Sequence, residues 1–180
     1  MRSVGILTLG CKVNTYESEY IIHVLKEHGY IIKEFDDICD VYIINTCTVT
    51  NTSDVKSRKM IRQAIKRNKD ACVVALGCFI EANKDYDIPG LDIVIGNKDK
   101  SKIVEILEEY FTKKEQIRKL YEELPNKFED MYINELPGRT RAFVKIQDGC
   151  ENFCSYCIIP FVRGKCRSKD PDTVIKEIKD

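Results

Sequence analysis

Three apolar runs in this chain end in the same way: Leu7-Thr8-Leu9-Gly10-Cys11, Ile43-Ile44-Asn45-Thr46-Cys47 and Val74-Ala75-Leu76-Gly77-Cys78. Each run is short and free of charge, which suits a strand buried on both faces. Helical periods lie between them. One runs from about Tyr16 to His28, with Tyr20, Ile21, Val24 and Leu25 on one side and Gly29 as a stop. The other runs from Asn51 to about Asn68, with Ile61, Ala64 and Ile65 inward behind a polar cap. Strands alternating with helices predict βα units, and so an α/β fold with a parallel sheet and helices on both faces. In such a sheet the C-terminal strand ends share one edge, where open α/β folds place their ligands. Cys11, Cys47 and Cys78 are therefore expected at a common rim. The bland alternative is that each is a small buried core residue.

The pattern continues with a short strand over Tyr30–Phe35, a further buried strand over Leu91–Ile95 and a helix over Lys98–Phe111, giving an N-terminal α/β domain over residues 1–111. Residues 112–138 are charged, contain Pro125 and the Pro137-Gly138 pair, and read as a linker. From 139 to 180 a second domain begins and is not finished. Arg141–Gln147 alternates like a strand and delivers Asp148-Gly149-Cys150, and a helix opened by Pro171-Asp172-Thr173 is still running at Asp180. The longest apolar run, Ala71 to Ile80, is far short of the ~18–20 residues of a membrane span. The N-terminal residues enter a strand-like segment with no secretory h-region. A cytoplasmic chain with no membrane partner is expected. The 29 basic and 29 acidic side chains exclude a globally basic nucleic-acid binder but allow a local basic face.

Nine cysteines in 180 residues, with no secretory signal, point to metal or chemistry more than to a disulfide scaffold. Cys150, Cys154 and Cys157 stand in C-x3-C-x2-C spacing. A short loop of that form can give three thiolates to three irons of a 4Fe–4S cluster and leave the fourth iron open. A zinc knuckle completed by Cys166 is the alternative for these residues. Cys39 and Cys72 precede or open strands on the opposite edge and read as structural, while Cys166 in a basic loop reads as a solvated thiol.

Taken together, these motifs resemble the radical S-adenosylmethionine methylthiotransferase family. The likeness is carried by Gly10-Cys11-Lys12-Val13-Asn14-Thr15-Tyr16-Glu17-Ser18, by Asn45-Thr46-Cys47-Thr48-Val49-Thr50, by Gly77-Cys78, and by Cys150–Cys157 with Ile158-Ile159-Pro160, Arg163-Gly164 and Arg167-Ser168. The resemblance implies two 4Fe–4S clusters. The one on Cys150, Cys154 and Cys157 would bind S-adenosylmethionine at its open iron, and one electron from an external donor would cleave the sulfonium to a 5′-deoxyadenosyl radical. Tyr156 matches an aromatic position beside the adenine, with ordinary packing as the alternative. The cluster on Cys11, Cys47 and Cys78 would carry the sulfur that is added, and a second S-adenosylmethionine the methyl.

Lys12-Val13-Asn14 and Thr48-Val49-Thr50-Asn51 resemble the subgroup that methylthiolates C2 of threonylcarbamoyl-adenosine next to the tRNA anticodon. The branches acting on isopentenyl-adenosine or on a ribosomal-protein aspartate more often show Gln-Met-Asn and Pro-Lys-Asn at the first site. An anticodon-loop partner fits the stretch of this helix from Val55 to Lys69, which carries Lys56, Arg58, Lys59, Arg62 and Lys66 and no acid, since phosphate attraction by such a face is sequence-independent. A plain solvated helix face is the alternative there, and Arg163, Lys165 and Arg167 are weaker candidates for RNA contact. The family's radical domain is a partial barrel of a kind that needs on the order of 200 residues, so these 180 residues alone are expected to be an inactive, monomeric portion of the enzyme. From other classes, a non-catalytic iron–sulfur module and a zinc-stabilised interaction domain remain open.

Overall fold

The computed structural model describes residues 1–134 and 141–180; the expected boundary between linker and second domain falls outside them. Strand β1 (Ser3–Thr8) leads through helix α1 (Lys12–Glu27) to β2 (Ile31–Lys33) and β3 (Val41–Thr46). Helix α2 (Asn51–Arg67) and β4 (Cys72–Gly77) follow, then a short helix α3 (Cys78–Ala82), β5 (Ile93–Ile95), a 3-10 turn at Lys100–Lys102 and helix α4 (Ile103–Lys113). Strand β6 (Ile117–Lys119) completes a six-stranded, all-parallel sheet in the order β2-β1-β3-β4-β5-β6.

The expected α/β architecture is present, and its core explains it. Every residue of β3 and β4 is buried, as the charge-free runs require. One face of the sheet packs Val4, Val41, Ile43 and Val74 against Ile21 and Leu25 of α1 and Ile103, Ile106 and Leu107 of α4. The other packs Tyr42, Ile44, Val73 and Ala75 against Ile61 and Ala64 of α2 and Phe79 and Ile80 of α3. Alternate strand residues thus serve opposite layers, as the pleat dictates. Thr50 caps α2 by accepting from the Ser53 backbone N–H at 3.1 Å.

Two features depart from the sequence reading. The segment read as a linker contains β6, whose Ile117 pairs with Ile93, and it also contributes Met131 and Ile133, which pack on Tyr16. The strand expected over Arg141–Gln147 is reduced to β7 (Gln147–Asp148), paired antiparallel with β8 (Arg167–Ser168). Lys145 in that stretch turns inward to an ion pair, and no neighbouring strand runs beside Arg141–Ile146 among the described residues. Helices α5 (Ile159–Arg163) and α6 (Pro171–Lys179) complete the chain.

Candidate metal centre

Strands β1, β3 and β4 are neighbours, with Thr8 opposite Asn45 and Thr46 opposite Gly77. Cys11, Cys47 and Cys78 therefore follow three adjacent strand ends on one edge. Cys11 and Cys47 flank the point between β1 and β3 where the strand order reverses, the usual ligand crevice of an open α/β sheet. Cys47 and Cys78 are each 3% exposed, and Cys11 is exposed. Gly10 has φ +101°, and a Cβ there would lie 2.7 Å from both Cβ and Sγ of Cys47, so only glycine lets the first cysteine loop approach the second. Ser57 of α2 clamps Cys47, accepting from its N–H at 3.3 Å and donating to its carbonyl at 3.0 Å. Asn14 donates to the carbonyls of Leu9 and Thr46 at 2.7 and 3.0 Å, tying the two loops together.

The chemistry of this edge fits an iron–sulfur group. All nine cysteines are free thiols. Among the described residues no three Cys, His, Asp or Glu side chains close on one ion-sized point. A cubane takes each cysteine on a different iron, so its ligands stand apart, and three adjacent strands span roughly 10 Å at ~4.8 Å each. The Asn45 side-chain oxygen is also buried at this edge with no hydrogen-bond partner among the described residues.

The second trio lies on a loop. Cys150 and Cys157 are half-buried and Cys154 is exposed. The loop is closed by the Cys157 N–H donating to the Cys154 carbonyl at 2.9 Å and the Cys150 N–H to the Gly164 carbonyl at 3.0 Å. Gly149, at φ +79°, passes so near the Lys165 carbonyl that a Cβ would meet it at 2.1 Å. Phe153 adopts φ +46° and stacks edge-on against Phe161, with centroids 5.8 Å apart. Tyr156, expected beside an adenine, is 88% exposed.

Between the N-terminal sheet and this loop lies a buried ionic hub. Glu17 accepts from Lys100 at 2.5 Å, from Lys145 at 2.9 Å and from Arg163 at 2.9 Å. Arg163 also donates to Asp148 at 2.9 Å and to Asn14 at 2.8 Å, and Asp148 pairs with Lys145 at 2.7 Å. Burial would raise the Glu17 pKa, but Arg163, Lys100 and Lys145 outweigh it and hold the carboxyl well below its usual range. Burial works against the charge on Arg163 too, and Glu17, Cys78 and Asp148 overcome it. A second buried set joins Tyr16 to Glu177 at 2.6 Å and to the Met131 carbonyl at 2.7 Å, with Lys169 paired to Glu177.

The hub corrects the expectation of RNA contact at Arg163 and Arg167. Arg163 is 3% exposed and fully engaged, and Arg167 donates to the carbonyls of Arg163 and Lys165 at 2.7 Å, because buried carboxylates and carbonyls hold these cations inside. The basic side chains of α2 stand differently. Lys56, Lys59, Arg62 and Lys66 are exposed, and Arg58, Lys59, Arg62 and Lys66 line one shallow groove with Val55 and Gln63. Cys39 and Cys72 are buried and Cys166 is exposed. In the sequence Glu17 stands out only as part of the first cysteine motif, and its place in the hub is not apparent there. The available signal was an acidic residue flanked by polar groups on a helix that packs against the sheet.

The model of the family described as uncharacterized protein family UPF0004 matches residues 3–96. The threonylcarbamoyladenosine tRNA methylthiotransferase MtaB of Bacillus subtilis is 44% identical over 180 residues, covering 98% of this chain and 40% of that protein. The ribosomal protein uS12 methylthiotransferase RimO of a Thermoanaerobacter species is 35% identical over 185 residues, covering 100% of this chain and 42% of that protein. The tRNA-2-methylthio-N(6)-dimethylallyladenosine synthase of Carboxydothermus hydrogenoformans is 32% identical over 186 residues, covering 99% and 42%. The chain spans about 40% of the length of these curated relatives. No helix among the described residues is long and apolar enough to cross a membrane.

Proposed function

This chain belongs to the UPF0004 family, and from that premise we propose that it is the cluster-bearing portion of a methylthiotransferase that modifies C2 of threonylcarbamoyl-adenosine beside the tRNA anticodon. The observation that carries the reading is the placement of Cys11, Cys47 and Cys78 after three adjacent strand ends, in a chain that also holds Cys150, Cys154 and Cys157 on a separate loop. The 44% identity to the threonylcarbamoyladenosine enzyme, against 35% and 32% for the ribosomal-protein and dimethylallyladenosine enzymes, supports the choice of nucleoside.

On this reading Cys150, Cys154 and Cys157 hold a 4Fe–4S cluster that binds S-adenosylmethionine, and Tyr156 offers its ring to the adenine. Cys11, Cys47 and Cys78 hold the second cluster. The bound groups supply one-electron cleavage of a sulfonium and the sulfur to be added. The chain's own residues position them. Ser57 and Asn14 fix the first cysteine loops, and the Glu17 hub sets the second loop against the sheet. Lys56, Arg58, Lys59, Arg62 and Lys66 present a face to RNA phosphates along α2, whose N-terminal end follows directly from the Cys47 loop. An external reductant supplies the electron, and the protein acts as a monomer in the cytoplasm.

Mass analysis of tRNA nucleosides tests the proposal. Cells lacking the gene lose methylthio-threonylcarbamoyl-adenosine; the full-length gene restores it and its Cys47→Ala form does not. Loss of methylthio-isopentenyl-adenosine or of the ribosomal-protein mark instead would assign the chain to the other branches.

A further inference from the structure

The strand beside β4 runs on into Ile95-Gly96-Asn97, the same order of residue types as Leu76-Gly77-Cys78 in the register-matched strand, with an amide in place of the thiol. Asn97 is 5% exposed. Its backbone N–H donates to Glu81 of α3 at 2.7 Å, which fixes the residue at the sheet edge. Its side-chain nitrogen donates to the Val162 carbonyl at 2.7 Å and lies 3.5 Å from Cys78 Sγ. A carbonyl oxygen only accepts, so Val162 decides which end of the amide faces it. One amide hydrogen is thereby committed to Val162 and the other is left for the sulfur.

We propose that Asn97 is a positioning residue for the cluster on Cys11, Cys47 and Cys78: it donates an N–H···S hydrogen bond to the Cys78 thiolate and, through Val162, ties that cluster to the segment that follows the second cysteine loop. The inference rests on the iron–sulfur reading above. Hydrogen bonds to cluster sulfurs favour the electron-richer reduced form, so they raise the reduction potential. In a buried site the bond is not weakened by competing water. The same segment is locked from its other side, because Arg163, next to Val162, binds Asn14 and Glu17. Asn14 in turn stands beside Cys11, its side-chain oxygen 3.9 Å from the sulfur. Two amides at the sheet edge therefore each touch a cysteine of the first trio and a residue of α5.

The test uses the full-length protein with Cys150, Cys154 and Cys157 replaced by alanine, so that one cluster remains. Asn97→Asp keeps the shape and removes the donor, and Asn97→Ala removes the side chain. Both should still take up about four irons per chain after anaerobic reconstitution. Their midpoint potentials, read by redox titration with electron paramagnetic resonance, should fall below that of the Asn97 parent. The larger fall belongs to Asn97→Asp, which places a carboxylate beside the thiolate. If Asn97→Ala folds with an unchanged unfolding midpoint yet loses its iron, the bond holds the ligand itself and the proposal stands. Loaded variants with the parent's potential overturn it. A parent that takes up no iron overturns the iron–sulfur reading itself, a result distinct from either.

Discussion

Cys47 and Cys78 are each 3% exposed behind strands buried along their whole length, whereas Cys154 is exposed on a loop whose Tyr156 is 88% open to solvent. The first trio inherits its geometry from the hydrogen-bonded ladder and from clamps such as Ser57. The second depends on a few turn bonds, a glycine pressed against Lys165 and the ionic hub behind it. One site is thus built with the sheet, and the other is held against it. On the proposed reading, a cluster bound at the loop would add order that the loop itself supplies sparingly, while a cluster at the sheet edge would meet a surface already fixed.

The largest effect that could break this contrast is on iron content. Alanine at Cys150, Cys154 and Cys157 of the full-length protein should leave about four of about eight irons, and alanine at Cys11, Cys47 and Cys78 the other four. Proteolysis should open the loop around 150–157 in the first set only. Loss of all iron in either set would show that the sites are interdependent.

Next in size is the joint between the two regions. Removing Glu17 strands Lys100 in a buried place and leaves Lys145 and Arg163 to share Asp148, and Glu17→Ala should cost about 3–5 kcal/mol in urea unfolding. A cost below ~1 kcal/mol would mean the regions are joined by other contacts. Acid should act more gradually on the same joint. Glu17 faces Lys100, Lys145 and Arg163, with Asp148 and Glu129 close by, and its folded pKa is depressed. A depressed carboxyl contributes stability that is present above its unfolded pKa and lost as pH falls through the folded one. Stability should therefore decline as the pH falls below about 4, and Glu17→Gln should flatten that decline.

The smallest effect concerns RNA. Basic side chains are open along α2, which follows the Cys47 loop, whereas Arg163 and Arg167 near the second trio are buried, so reversing charge at Lys59 and Arg62 should weaken tRNA binding. It should also reduce the slope of log affinity against log salt by roughly 0.7–0.9 per lost phosphate contact. An unchanged slope in filter binding would move the RNA site elsewhere.

Legibility in the sequence followed the same division. The sheet could be read because β1, β3 and β4 are continuous apolar runs whose pattern is local. Helix α1 begins four residues before the expected Tyr16, since the inward Asn14 is polar and hides the period. Strand β6 offers only Ile117 to the core and is too short for any period to show. The hub was invisible because its partners are far apart in sequence, Arg163 lying 146 residues from Glu17. An arginine in a polar loop looks solvated until the fold brings a carboxylate to it. Separation in sequence also hid Asn97, whose partner Val162 lies 65 residues away.

The borders of the sheet have one more consequence. Both outer strands, β2 and β6, are three residues long and end in lysine. Short charged margins offer little template for another chain to add on, a common defence against fibrillar growth. On the iron–sulfur reading, a molecule without its clusters would keep those guarded flanks, and so would resist recruiting its neighbours into aggregates.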